Sequence, residues 1–129
     1  MIDHTGVAVS DFNKSKAFYT AALAAFGYSL LVEFPATADS PNIAGFGEPP
    51  EPDFWIVSGT PNKPPLHVAF RVENRAKVRA FHEAALAAGG QDNGAPGLRE
   101  HYHANYYAAY VLDPDGHNIE AVCHAPDLG

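Results

Sequence analysis

The chain has 129 residues, of which 47% are hydrophobic and 12% aromatic, enough for one packed domain over residues 1–129. Its net charge of −7 argues against nucleic acid or an anionic membrane as a partner, because phosphate binding depends on clustered Lys and Arg. The single cysteine, Cys123, cannot form an intrachain disulfide, and no apolar run is long enough for a signal peptide or a membrane span. These features predict a cytoplasmic protein that folds alone or as a small oligomer.

The first half of the chain has the pattern of one strand, one helix and three further strands. Residues 2–9 alternate as a strand, with His4 on the face of small residues. Asp11 or Ser10 can cap a helix that runs to about residue 26, where Gly27 can end it. Residues 28–33 and the segments IAGFG and DFWIVS indicate three strands, separated by the loops PATADSP and GEPPEP. Residues 1–61 are therefore predicted to form a β-α-β-β-β module.

The second half repeats the first at an offset of 63 residues. HTGVAVSDFNKSKAFYTAALAAFG aligns with HVAFRVENRAKVRAFHEAALAAGG, so that His4 falls on His67 and Gly27 on Gly90. Alanine favours helices in any context, so part of this identity could be convergent. The strand before each helix and the glycine after it align as well, which favours a true repeat. A second β-α-β-β-β module is predicted over residues 64–124, after the proline-rich link TPNKPP.

Residues 101–122 carry most of the predicted chemistry. The sequence D-P-D-G at residues 113–116 is a turn signal, so two strands should meet there as a hairpin. Alternation along the second strand places Glu120 on the face opposite Ile119 and Cys123, which point towards the core. A carboxylate in that position is solvated, paired with a cation or bound to a metal.

Two histidines are predicted to share this open face with Glu120. The core face of the strand that opens the second module consists of alternate apolar residues, Leu66, Val68, Phe70 and Val72. His67 then points the other way, as His4 does in the first module. A lone histidine on a strand is usually exposed or hydrogen-bonded, but two at equivalent positions favour a metal site. His4, His67 and Glu120 suit one divalent ion: Fe, Mn, Co, Ni or Zn.

The duplicated modules, a histidine in each opening strand and the closing YVLDPDGHNIE resemble the vicinal oxygen chelate superfamily, which includes glyoxalase I, extradiol dioxygenases, fosfomycin-resistance enzymes and bleomycin-resistance proteins. The resemblance implies an α+β fold in which two β-α-β-β-β modules form a cupped eight-stranded mixed sheet. It implies metal ligands at His4, His67 and Glu120, a small-molecule substrate that chelates the metal through vicinal oxygens, and a homodimer. Whether His4 and His67 meet within one chain or across two remains open.

Departures from these enzymes leave lyase, isomerase and ring-cleaving dioxygenase chemistry open. Glyoxalase I has a fourth ligand, a glutamate on the last strand of the first module. The repeat offset places Val57 opposite Glu120, and valine cannot bind a metal. Extradiol dioxygenases carry an acid–base histidine ahead of the second-module ligand, and no histidine lies between His4 and His67.

The acid–base group must therefore come from elsewhere. Candidates are His101, His103, Tyr110 and metal-bound water, and the two histidines are favoured because an unperturbed imidazole can both accept and donate a proton near neutral pH. Tyr110 suits hydrogen-bond donation to an oxyanion. Three other histidines, His82, His117 and His124, are not expected to have a function.

Substrate contacts are expected from Trp55, Tyr106 and Arg99. Tyr106 and Tyr110 share a strand face, where they either line the site or stack as ordinary cross-strand pairs. Arg99 can bind a carboxylate or phosphonate, although a solvated arginine is the commoner case. The alternative function is a metal-free protein of the bleomycin-resistance type, which sequesters an aromatic cation with Trp55, the tyrosines and the negative charge.

Overall fold

The computed structural model describes residues 1–127 and confirms two β-α-β-β-β modules in an α+β fold. The first module consists of β1 (Thr5–Val9), α1 (Phe12–Ala24), β2 (Ser29–Phe34), β3 (Ile43–Gly47) and β4 (Phe54–Ser58). The second consists of β5 (His67–Arg71), α2 (Arg75–Ala87), β6 (Gln91–Leu98), β7 (Tyr107–Leu112) and β8 (Asn118–Cys123). Within residues 1–127, neither helix combines the length and the apolar character needed to cross a membrane.

The eight strands form two four-stranded sheets, in the orders β1-β4-β3-β2 and β5-β8-β7-β6. In each sheet the first and last strands of the module pair in parallel, and the other neighbours are antiparallel. Across residues 1–127, the hydrogen-bonded ladders stay within each sheet, so the predicted eight-stranded sheet is divided into two halves. The predicted D-P-D-G hairpin connects β7 to β8.

Both helices begin at a side-chain cap, and the cap of α1 is Asp11, one of its two predicted candidates. The Asp11 side chain accepts a hydrogen bond from the Lys14 amide at 3.1 Å, and Asn74 accepts one from the Lys77 amide at 3.0 Å. After α1, Gly27 takes the left-handed conformation with φ 95°, which glycine adopts without steric cost. The two modules therefore start and end their helices by the same chemistry.

A single apolar core lies between the two helices and the two sheets. It contains buried aromatic residues from both modules, including Phe18, Phe54, Phe70 and Phe81. Cys123 is buried there, as predicted for a core thiol. Leu66 was expected on the core face but is 36% exposed, because it precedes β5 and lies outside the sheet's regular alternation.

A polar cluster at the β7–β8 turn joins the second module to the first. The Tyr19 hydroxyl on α1 donates to Asp113 Oδ2 at 2.5 Å, and the Ser10 hydroxyl donates to Asp115 Oδ1 at 2.5 Å. Asp113 also accepts the amide of His117 through Oδ1 at 2.9 Å. We call Asp113, Asp115 and His117 the turn cluster.

His117 is the buried centre of the turn cluster, although the sequence pattern indicated no function for it. Its side chain is 0% exposed, and both ring nitrogens are hydrogen-bonded. The Leu66 amide donates to Nδ1 at 3.0 Å, so the proton is on Nε2, which donates to the Ala8 carbonyl at 2.9 Å. The His117 imidazole thus links the residue before β5 to β1, the edge strand of the first sheet, through two hydrogen bonds.

Candidate functional site

The site is built around Glu120, a carboxylate buried on β8. Glu120 is 1% exposed, and its Oε1 accepts a hydrogen bond from His67 Nε2 at 2.8 Å. The His67 side chain is 53% exposed, so the pair joins a buried acid to an imidazole that solvent can reach. Burial of a carboxylate is costly unless it has a charged or hydrogen-bonding partner. Within residues 1–127, the ion pair that Glu120 makes is with His67.

The strand register explains why these two side chains meet. In the parallel β5–β8 pair, Ala69 lies opposite Glu120, so His67 is two residues away along the neighbouring strand and on the same face. The corresponding β1–β4 register places Trp55 opposite Gly6. Trp55, not Val57, is therefore the first-module equivalent of Glu120, and the repeat offset misplaced it by two residues. The conclusion that this position has no metal ligand is unchanged.

Tyr106 covers Glu120 from the other side. Its hydroxyl donates to Glu120 Oε2 in a short hydrogen bond, so both carboxylate oxygens have a partner. Three rings pack against Tyr106, with centroid distances of 4.8 Å to Tyr102, 5.4 Å to His103 and 5.3 Å to His124. Tyr106 was predicted to lie on the same face as the site, and its hydroxyl contacts Glu120, the predicted metal ligand.

The His103 imidazole is held in one tautomer by the chain around it. The Asn105 amide donates to His103 Nδ1 at 3.1 Å, so the ring proton is on Nε2. Nε2 in turn donates to His124 Nδ1 at 2.6 Å, and the two rings stack at a 25° interplanar angle. Neither nitrogen of His103 therefore has a free lone pair in this arrangement, which weakens its case as a base relative to His101.

His101 lies beside Tyr102 on the exposed loop that precedes β7. Its ring centroid is 4.1 Å from that of Tyr102, and Tyr102 is itself 60% exposed. Within residues 1–127, neither ring nitrogen of His101 makes a hydrogen bond, so both are accessible to a substrate. The contacts run from His101 through Tyr102 and Tyr106 to Glu120.

Tyr110 and Arg99 form the remaining wall of the site. The Tyr110 ring centroid is 6.3 Å from that of His67, and the Arg99 guanidinium carbon lies 5.4 Å from the Tyr110 centroid. Arg99 also closes the loop of residues 99–106, because its amide donates to the Tyr106 carbonyl at 2.6 Å. The structure thus brings both predicted residues to the same face as His67 and Glu120.

His4 is not joined to His67 and Glu120 in the single chain. Its Nδ1 donates to Asp3 Oδ1 at 2.7 Å, and its side chain is largely exposed. Among residues 1–127, no three His, Cys, Asp or Glu side chains converge closely enough to hold a metal ion. His4 and His67 do line the same groove of about 460 Å³ between β1 and β5.

Trp55 lies on the first module, apart from the tyrosines. It lines a groove of about 410 Å³ together with His4, Gly6, Ile43 and Val57. Glycine is required beneath it, because a Cβ at Gly45 would come within 2.8 Å of the indole ring. Of the predicted substrate contacts, Tyr106 and Arg99 therefore share the Glu120 site, whereas Trp55 shares a groove with His4.

Burial, together with the Glu120 carboxylate, raises the pKa values of the two neighbouring phenols. The pKa of Tyr106 is raised, first by burial and then by the hydrogen bond to Glu120 and its charge. The pKa of Tyr110 is raised by burial and by the Glu120 charge. Both phenols therefore hold their protons at neutral pH and can act as donors. Burial and the Arg71 charge lower the pKa of His124.

Two site residues, Tyr102 and His124, were missed from the sequence. Strand alternation continued beyond Glu120 places Val122 and His124 on the same face, so this pattern could have identified His124. Tyr102 lies in an irregular loop, where no periodicity shows the direction of a side chain.

Most of the chain is similar to a known family and to several solved structures. The family model described as the Glyoxalase/Bleomycin resistance protein/Dioxygenase superfamily matches residues 1–121. A glyoxalase/bleomycin resistance protein from Albidiferax ferrireducens T118 is 28% identical with a TM-score of 0.72, covering 94% of this chain and 97% of that chain. Comparison with functionally curated proteins gives no match.

Two further structures share the fold at lower identity. A glyoxalase-related enzyme from Fulvimarina pelagi is 20% identical with a TM-score of 0.66, covering 95% of this chain and 87% of that chain. Glyoxalase I from Zea mays is 20% identical with a TM-score of 0.68 over 98% of this chain, which spans 45% of the maize protein.

Proposed function

Because the chain belongs to the glyoxalase/bleomycin resistance protein/dioxygenase superfamily, we propose that it is a divalent-metal-dependent enzyme acting on a small organic substrate with vicinal oxygens. The reaction is of the lyase, isomerase or ring-cleaving dioxygenase class, carried out by a cytoplasmic homodimer. The observation that supports this function is the pairing of buried Glu120 with His67.

The donor set at this pair fits a divalent metal as two of three ligands. A carboxylate oxygen and an imidazole nitrogen 2.8 Å apart are chemically suited to one ion, and the exposed side of His67 leaves room for substrate. His4 is the proposed third ligand, either from the same groove after its side chain turns from Asp3, or from the partner chain. Bound there, the metal would act as a Lewis acid towards neighbouring substrate oxygens.

Residues around the pair supply the other functions. Tyr110 is the proposed hydrogen-bond donor to an oxyanion, because its raised pKa keeps the phenol protonated. His101 is favoured over His103 as the acid–base group, since both nitrogens of His103 are hydrogen-bonded. Trp55 lines the groove that also contains His4, where it would contact substrate.

Metal content of protein purified without a polyhistidine tag tests this function. We expect about one divalent ion per chain, and Glu120→Gln should weaken binding by about 10- to 100-fold because the anionic ligand is lost. Glu83→Gln is the matched control, since Glu83 is exposed on α2. Metal retained by the Glu120 variant with unchanged affinity would contradict the assignment.

A metal-free sequestering protein of the bleomycin-resistance type is the second candidate. It is favoured by one observation: Tyr106 and His67 together occupy both oxygens of Glu120, so the carboxylate is paired without a metal. An aromatic cation would then bind among the tyrosines and Trp55. Tight binding of such a cation by metal-depleted protein, without metal uptake by the parent, would favour this function.

A further inference from the structure

The Arg99 guanidinium is held beside the candidate site by one hydrogen bond and one ring contact. Its Nη2 donates to the Ala95 carbonyl at 2.8 Å, and its central carbon lies 5.4 Å from the Tyr110 ring centroid. An arginine side chain carries about 2 kcal/mol of rotamer entropy, so an exposed arginine without a role is usually mobile. Arg99 is only partly exposed and is fixed from both the backbone and the ring.

Two glycines make the space in which this guanidinium lies. A Cβ at Gly97 would come within 3.1 Å of Arg99 Nη1, and one at Gly94 would come within 3.2 Å of Nη2 and 2.7 Å of the Tyr110 ring. Side chains at these two positions would therefore move the guanidinium. We call Gly94, Ala95, Gly97 and Tyr110 the Arg99 seat.

The charge on Arg99 is not neutralised by the protein. Within residues 1–127, Arg99 makes no ion pair, whereas Lys16 pairs with Glu33 and Lys77 with Glu73. Guanidinium carries five N–H donors, and the contact to Ala95 uses one of them. In a chain of net charge −7, an arginine that is both unpaired and held beside the site is available to bind an external anion.

We propose that Arg99 binds the acidic group of the substrate, which is an organic oxyanion, a carboxylate or a phosphate ester, with an apolar body. This inference rests on the proposed function and names its substrate class. The planar fork of Arg99 suits two oxygens of such a group. The exposed ring of Tyr102 offers an apolar surface on the same loop, which begins at Arg99 and ends at Tyr106.

Titration of metal-depleted protein with benzoate, acetate and inorganic phosphate tests the proposal by calorimetry and by amide shifts of Gly94 and Gly97. We expect benzoate to bind more tightly than acetate and to shift both glycine signals. Arg99→Gln should weaken benzoate binding by about tenfold or more, because the charge-assisted hydrogen bonds are lost. Tighter binding of phosphate than of benzoate would assign the phosphate class, and the reverse order the carboxylate class.

Two further variants distinguish anion binding at Arg99 from nonspecific attraction by positive charge. Arg79→Gln removes an exposed arginine on α2 that contacts Tyr107, and it should leave binding unchanged. Gly97→Ala retains every charge but crowds Nη1, and it should weaken binding several-fold. Equal binding by the parent and the Arg99→Gln variant, or no binding of benzoate or phosphate at millimolar concentration, would overturn the proposal. Because the titrated protein is metal-depleted, either result is independent of whether Glu120 holds a metal in the loaded protein.

Discussion

At the scale of residues, the hydroxyl of Tyr106 and a metal ion would compete for the same carboxylate. Tyr106 donates to Glu120 Oε2 and His67 donates to Oε1, so each oxygen of the metal-free carboxylate has one hydrogen-bond donor. Ligation through His67 Nε2 would require its hydrogen bond to Glu120 to open, because one ring nitrogen cannot donate a proton and bind a metal at once. A metal bound at Oε2 would take the place of the Tyr106 hydroxyl. The pKa of Tyr106 is raised first by burial and then by the hydrogen bond to Glu120 and its charge, so the phenol stays protonated and continues to donate to the carboxylate.

Tyr106→Phe should therefore increase metal affinity while lowering stability. The ring contacts with Tyr102 and His103 are retained, but Glu120 loses a hydrogen-bond donor, which costs about 1–3 kcal/mol of unfolding free energy. Metal affinity by competition with a chromophoric chelator should rise several-fold. Tyr102→Phe, at an exposed ring, is the control and should change neither quantity. A fall in metal affinity for Tyr106→Phe would show that the phenol supports the metal instead of competing with it.

At the scale of elements, the turn between β7 and β8 holds the modules together through buried polar contacts. His117 joins the Leu66 amide to the Ala8 carbonyl, and Asp113 accepts the Tyr19 hydroxyl. Buried hydrogen bonds of this kind contribute little when complete but cost much when one partner is removed. The groove shared by His4 and His67 lies between β1 and β5, the strands that His117 connects.

Replacement of His117 by Ala should destabilise the fold by about 2–4 kcal/mol. The Leu66 amide and the Ala8 carbonyl would lose their hydrogen-bond partner, and the missing ring would leave a cavity. His82→Ala is the matched control, because the His82 pair with Asp92 is at the surface and contributes little. Urea denaturation of the two variants gives the comparison. Similar losses for both would mean that His117 does not hold the modules together.

The free energy of unfolding should fall as the pH rises above about 10. Burial and the Asp113 charge hold the pKa of Tyr19 well above its ordinary value near 10. Above that pH the unfolded chain loses the phenol proton while the folded chain keeps it, so the unfolded state gains stability. Tyr19→Phe should flatten this alkaline slope, measured by urea denaturation at several pH values. An unchanged slope would exclude Tyr19 as its source.

The sequence repeat predicted the two modules, but it did not predict the strand register or the side chains of the irregular loop. The offset of 63 between His4 and His67 predicted the modules, because histidine, helix and glycine recur together. The offset could not predict which residues of β4 and β8 correspond, because the connections after the two helices differ in length by two residues. Glu120 therefore corresponds to Trp55, a relation that appears only in the strand register. Side chains on the loop of residues 99–106 follow no period, so Tyr102 could not be placed in advance.

At the scale of the whole molecule, His4 can join His67 and Glu120 of its own chain or those of a partner chain. The proposed homodimer provides two arrangements, with His4 and His67 from one chain or from two. The groove between β1 and β5 is compatible with the first, and the absence of a three-ligand cluster within residues 1–127 is compatible with the second. The ligands lie on the same strands and the same sheet faces in the one-chain and the two-chain arrangement.

Mixing two inactive variants distinguishes these arrangements. If the ligands come from two chains, a heterodimer of His4→Ala and Glu120→Gln contains one complete site of its two. About half of the dimers in an equilibrated equimolar mixture are heterodimers, so metal binding recovers to about a quarter of the parent stoichiometry. If they come from one chain, every site in the mixture remains defective. Light scattering at micromolar concentration should first give a dimer mass, and a monomer mass would remove the two-chain arrangement from consideration.

His67, Glu120 and His4 are proposed to hold one metal ion. X-ray absorption at the edge of bound nickel or zinc counts imidazole ligands directly, whatever the substrate. The parent should show two imidazoles per ion at about 2.0–2.1 Å, and both His4→Gln and His67→Gln should show one, with weaker binding. A parent spectrum without imidazole scattering, or one that is unchanged in both variants, would contradict the claim.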